Sequence, residues 1–75
     1  MNNVEKEKLF LLGERLRYFR KLKGYTNYEH LAYDAGISRS QYGKYEKGGN
    51  IKFTTLCTIL KHLDVSLAGF FSEGF

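Results

Sequence analysis

The chain has 75 residues. A domain of that size buries only about 60% of its unfolded surface, which leaves room for one small core and none for a deep enzymatic cleft. A single cysteine, Cys57, excludes an internal disulfide, and with only His30 and His62 beside it no closed structural zinc site can form. The net charge of +4 is concentrated between Arg15 and Lys52, where basic residues outnumber Glu29, Asp34 and Glu46; clustered positive charge in a small domain points to a phosphate-bearing partner.

The balance of 43% apolar and 27% charged residues is that of a globular chain and not of a disordered one. No apolar run approaches the roughly 20 residues of a membrane span. The opening Asn2-Asn3-Val4-Glu5-Lys6 lacks the basic-then-apolar order of a secretory leader. A soluble, cytoplasmic chain forming one domain over residues 1–75 is the expectation, with oligomerisation as the remaining means of reinforcing a small core.

Proline is absent, so glycine punctuates the chain. The first helix is predicted from about Lys6 to Lys23, because Leu9, Leu12, Leu16 and Phe19 recur at spacings of three and four. Gly13 interrupts this pattern, so the residues before it are read as a separate turn or a frayed end. Gly24 closes the helix. The second helix starts at Thr26 or Asn27, with Thr26 and Glu29 in capping-box spacing, buries Leu31, Ala32 and Ala35, and ends at Gly36. Ser38 is the N-cap of a third helix that runs through Lys47 to Gly48. Within it Tyr42 and Tyr45 share an inner face, while Arg39, Ser40, Gly43 and Lys44 lie toward the other side. A fourth helix carries Phe53, Leu56, Ile59, Leu60 and Leu63, with Asn50, Lys52 and Thr54 all open as its cap and Asp64 as its end. Ser66 caps a short last helix from Leu67 to about Phe71. No strand-like alternation is long enough to matter. The fold class is all-α, a compact bundle of about five short helices.

The second and third helices, joined by Gly36-Ile37-Ser38, form a helix-turn-helix unit over about residues 26–48. Such a turn projects the second helix outward, where its free side fits the major groove of DNA. Short polar or basic side chains suit that side, and Gly43 suits close approach to the duplex.

The chain resembles the lambda-repressor/Cro-like, or XRE, helix-turn-helix family from about Leu12 to Phe71. The resemblance is carried by Leu16-Arg17-x-x-Arg20, Leu31-Ala32-x-x-Ala35-Gly36-Ile37-Ser38, Tyr42-x-x-Tyr45-Glu46-Lys47-Gly48, Leu56-x-x-Ile59-Leu60-x-x-Leu63 and Val65-Ser66-Leu67. It implies a sequence-specific regulator of transcription from a bacterial or phage-like source, a repressor in the first instance, that binds double-stranded DNA as a homodimer. By the same resemblance Arg39, Ser40, Gly43 and Lys44 contact bases, and Arg17, Asn27, Tyr28, Ser38, Gln41 and Lys47 contact phosphates. The segment from Gly24 to Leu31 is one residue longer than the family pattern, so either Asn27 or Tyr28 can take the phosphate role at the start of the second helix. Arg20 and Glu46 match a buried ion pair, which also makes independent sense because Glu46 sits at the unfavourable C-terminal end of a helix dipole.

Phe70, Phe71 and Phe75 crowd the C-terminus and are candidates for a dimer interface; the competing expectation folds Phe71 and Phe75 back over the first helix near Phe10 and Leu9. His30 and His62 are expected on the surface without partners, and Cys57 as a half-buried inert thiol. No catalytic constellation, metal-ligand spacing or phosphate-binding glycine loop is present, so no enzyme activity, cofactor, metal, small-molecule ligand or membrane partner is expected. The alternative from another class is a protein-interaction module, such as an antitoxin or the partner of a regulator.

Overall fold

The computed structural model describes residues 2–75, which form five helices: α1 (Asn3–Lys23), α2 (Tyr28–Ala35), α3 (Arg39–Glu46), α4 (Phe53–Leu63) and α5 (Leu67–Phe70). No strand occurs among the described residues. Leu16, Leu31, Tyr42, Ile59 and Phe70, drawn from all five helices, are fully buried and form the centre of one core. Phe19, Tyr25, Tyr28, Ile37 and Val65 pack around it.

Helix α1 starts three residues earlier than the periodicity predicts, because the capping box forms here and not at α2. The Glu5 amide donates to Asn2 Oδ1 (2.8 Å), and the Asn2 amide donates to Glu5 Oε1 (3.0 Å). These reciprocal bonds satisfy two of the amides that a helix N-terminus leaves without partners. Gly13 therefore lies inside a continuous helix, buried where α1 crosses the end of α3.

At α2 the cap is Asn27, whose Oδ1 accepts from the His30 amide (3.1 Å), so the Thr26–Glu29 box does not form. The loop before it is held from both sides. The Tyr25 amide donates to the Arg20 carbonyl (3.0 Å), and the Tyr25 hydroxyl donates to Asp34 Oδ2 (2.6 Å). That bond, followed by desolvation and the Asp34 charge, raises the Tyr25 phenol above its ordinary pKa. Anchoring Tyr25 in this way sets where the chain enters α2.

Gly36 ends α2 at φ 72°, the left-handed region that glycine adopts without penalty. Ser38 caps α3 by accepting from the Gln41 amide (3.2 Å), and Lys47 closes it. Lys52 occupies the N-cap of α4 without a side-chain bond, and Asp64 ends that helix at φ 56°. Ser66 caps α5 by accepting from the Gly69 amide (2.9 Å). His62 is half-buried and not exposed, with Nδ1 3.0 Å from the Thr58 carbonyl one helical turn back. His30 is exposed, and Cys57 is a half-buried free thiol.

The aromatic C-terminus divides. Phe70 is fully buried, which removes it from any interface with another molecule. Phe71 and Phe75 pack on each other (4.9 Å between centroids) and on Phe70, while Lys8 Nζ donates to the Phe75 carbonyl (3.1 Å). The tail thus folds back toward α1, yet Phe71, Phe75 and Leu67 each stay about 40% exposed.

Among the described residues the Tyr42 hydroxyl is buried without a hydrogen-bond partner. Burial, then the nearby Glu46 carboxylate, pushes its phenol far above the ordinary value. Tyr42→Phe removes an unsatisfied polar atom and little packing volume. It is expected to leave stability unchanged or raise it by up to about 1 kcal/mol, read from urea and thermal unfolding.

Candidate nucleic-acid interface

Arg20 fixes how α3 sits on the rest of the fold. Its Nε donates to Glu46 Oε2 (2.7 Å), its Nη2 to Glu46 Oε1 (3.3 Å) and its Nη1 to the Tyr25 carbonyl (2.8 Å). One guanidinium therefore ties α1 to the end of α3 and to the loop that leads into α2. With only 6% and 9% of the two side chains exposed, the pair works in a low-dielectric setting.

Gln41 is exposed on α3, and so are Arg39, Ser40, Lys44 and the capping Lys47. Residues 39, 43 and 47 form one i, i+4 row along the helix, and 40 and 44 form the next. Gly43 lies in the first row, but it is buried: the ring of Tyr28 covers it, and a Cβ there would meet the ring at 3.3 Å. The glycine admits Tyr28 and not a base, so Gly43 leaves the set of base-contacting candidates. Tyr28 is half-buried, stacked toward Tyr42 at 6.0 Å. Together with Arg17 and Lys47 it rims a shallow depression floored by Gly43 and the Arg20–Glu46 pair. Three sequence-selected phosphate candidates from three different segments thus converge on one spot.

Asn27 and Ser38 are exposed, and the side chain of each also caps its own helix.

Several basic residues that swell the central charge serve structure. Arg15 donates from Nε to the Phe70 carbonyl (2.9 Å) and from Nη2 to the Gly69 carbonyl (3.0 Å), and lies 4.7 Å from the Phe19 ring centre. It closes the end of α5, which spacing in the sequence did not reveal. Lys23 pairs with Asp64 and holds that carboxyl below its usual pKa. Arg39 pairs with Glu29, a partner that sequence reasoning missed. Arg17, Lys21, Lys44, Lys47 and Lys52 make no ion pair among the described residues and stay exposed.

Among the described residues no group of His, Cys, Asp and Glu side chains could hold a metal ion, and no helix is long and apolar enough to cross a membrane.

Two short helices separated by a glycine-capped turn, the second with an exposed polar and basic side, define a helix-turn-helix DNA-binding domain. The chain belongs to the XRE family of helix-turn-helix DNA-binding regulators, the lambda repressor/Cro-like type: the helix-turn-helix family model matches residues 16–70. Comparison with curated proteins and with solved structures returned no match.

Proposed function

We propose that this regulator is a sequence-specific repressor that reads the major groove of double-stranded DNA with α3, acting as a homodimer in the cytoplasm. Arg39 and Lys44 are the principal base readers, with Ser40 between them; Arg39 can bond guanine O6 and N7 with two parallel donors. Arg17, Asn27, Tyr28, Ser38, Gln41 and Lys47 hold the phosphate backbone on either side and set the register of the helix. The observation that carries this reading is the convergence of Arg17, Tyr28 and Lys47 beside the exposed row of α3. A backbone cradle directly flanks the side chains proposed to read bases.

The dimer follows from size and from the tail. One short helix reads about four or five base pairs, and a two-fold arrangement places a second helix roughly 34 Å away. Phe71, Phe75 and Leu67 supply exposed apolar surface on one end of the molecule.

Selection from a random duplex pool tests both parts, with one enriched inverted repeat as the expected result. On that duplex Arg39→Ala and Lys44→Ala should each cost about 1–3 kcal/mol and relax choice at one base position. Arg17→Ala and Lys47→Ala should weaken all duplexes alike and reduce the salt slope by about one each. Unchanged base preference in both α3 variants would remove α3 as the reader.

A further inference from the structure

We propose that Glu29 is a positioning residue for DNA specificity: it holds Arg39 by one corner of its guanidinium, favouring guanine readout over phosphate binding. The proposal rests on the reading of α3 as the groove-facing helix.

Glu29 and Arg39 stand in the first turns of two successive helices, which the helix-turn-helix brings side by side. Arg39 Nη1 lies 3.2 Å from Glu29 Oε2. Together with Tyr33 and Ile37 they line a depression between α2 and the start of α3. The two positions are electrostatically opposite. Glu29 sits where a helix N-terminus favours negative charge, whereas Arg39 sits at an N-terminus that disfavours its positive charge. Glu29 offsets that mismatch.

The contact uses one guanidinium nitrogen. Nε and Nη2 make no hydrogen bond among the described residues, and this edge carries the two parallel donors that guanine O6 and N7 accept. Arg39 can therefore read guanine without releasing Glu29.

The side chains of Arg39 and Glu29 are 75% and 53% exposed, so the pair adds little to folding stability. Its consequence lies in binding. A carboxylate on a DNA-facing surface opposes every phosphate nearby and lowers affinity for all duplexes. In the same position it keeps Arg39 from wandering to the backbone and reduces the freedom lost when guanine is bound. General affinity falls while discrimination rises.

The test compares wild type, E29A, E29Q, R39A and the double variant E29A/R39A. Fluorescence anisotropy measures binding to the duplex selected from the random pool, to its single-base substitutions and to a random-sequence duplex, with thermal unfolding followed in parallel. E29A should melt close to wild type, bind the random duplex more tightly, and lose about fivefold to tenfold in preference for the selected site, the worth of one pre-ordered side chain. E29Q keeps an acceptor oxygen without the charge, so it should bind both duplexes more tightly and keep most of the preference. In the R39A background E29A should not alter preference further. If E29A tightens selected and random duplexes equally while R39A still loses preference, Glu29 is only a repelling charge and the proposal is overturned. If no duplex is enriched, or R39A keeps full base preference, the reading of α3 fails and the proposal falls with it.

Discussion

Arg20→Ala should destabilise the domain by about 3–5 kcal/mol, the usual cost of stripping one partner from a buried ion pair. The alanine variant leaves the Glu46 carboxylate buried at the negative end of α3 and the Tyr25 carbonyl without its donor. For a chain of this length that is a large fraction of the total, and the melting temperature should fall by about 15 °C or more. Arg20→Lys is expected to fall between, because a single ammonium cannot span the two Glu46 oxygens and the Tyr25 carbonyl as a planar fork does. Removing both charges with Arg20→Met and Glu46→Leu should recover part of the loss, the remainder reflecting the unpaired Tyr25 carbonyl. Where the protein stays folded, base preference should be unaltered. An Arg20→Ala protein as stable as wild type but defective on DNA would instead make Arg20 a phosphate contact.

Gly13→Ala should also destabilise strongly, against the intrinsic preference of the helix. Alanine inside a helix is favoured over glycine by about 1 kcal/mol. Here a Cβ would lie 2.6 Å from the Glu46 carbonyl oxygen and 2.7 Å from that of Tyr45. Both are backbone atoms, so no rotamer change relieves the clash; α1 and the end of α3 must move apart. Overpacking of this kind typically costs about 1–3 kcal/mol, and the displacement also stretches the Arg20–Glu46 pair. Set against the helix gain, the net expectation is a loss of about 1–2 kcal/mol by urea unfolding. A variant more stable than wild type would show that the crossing opens freely, so that helix propensity decides.

Both sites show where sequence reasoning reached its limit. The fold class, the five helices and the caps at Ser38 and Ser66 were legible, because apolar spacing and capping chemistry act within a few residues. Gly13 read as an interruption, since in a sequence a glycine shows only its weak helix propensity. Its reason is the backbone of α3, more than thirty positions away. The start of α1 was placed three residues late, and of the two starts left open for α2, Thr26 and Asn27, the cap falls on Asn27.

The same division holds at the surface proposed to face DNA. The residue order by itself determined that α3 carries Arg39, Ser40 and Lys44 on a side without apolar anchors, and that positive charge gathers around the helix-turn-helix. Only the tertiary structure decided how those charges are used. It commits Arg15, Arg20 and Lys23 to holding helices together, pairs Arg39 with Glu29, and lays Tyr28 over Gly43. The physical reason is range. Helical periodicity and capping are set by neighbours three or four positions apart, whereas pairing and burial depend on which distant segments the packed core brings within a few ångströms.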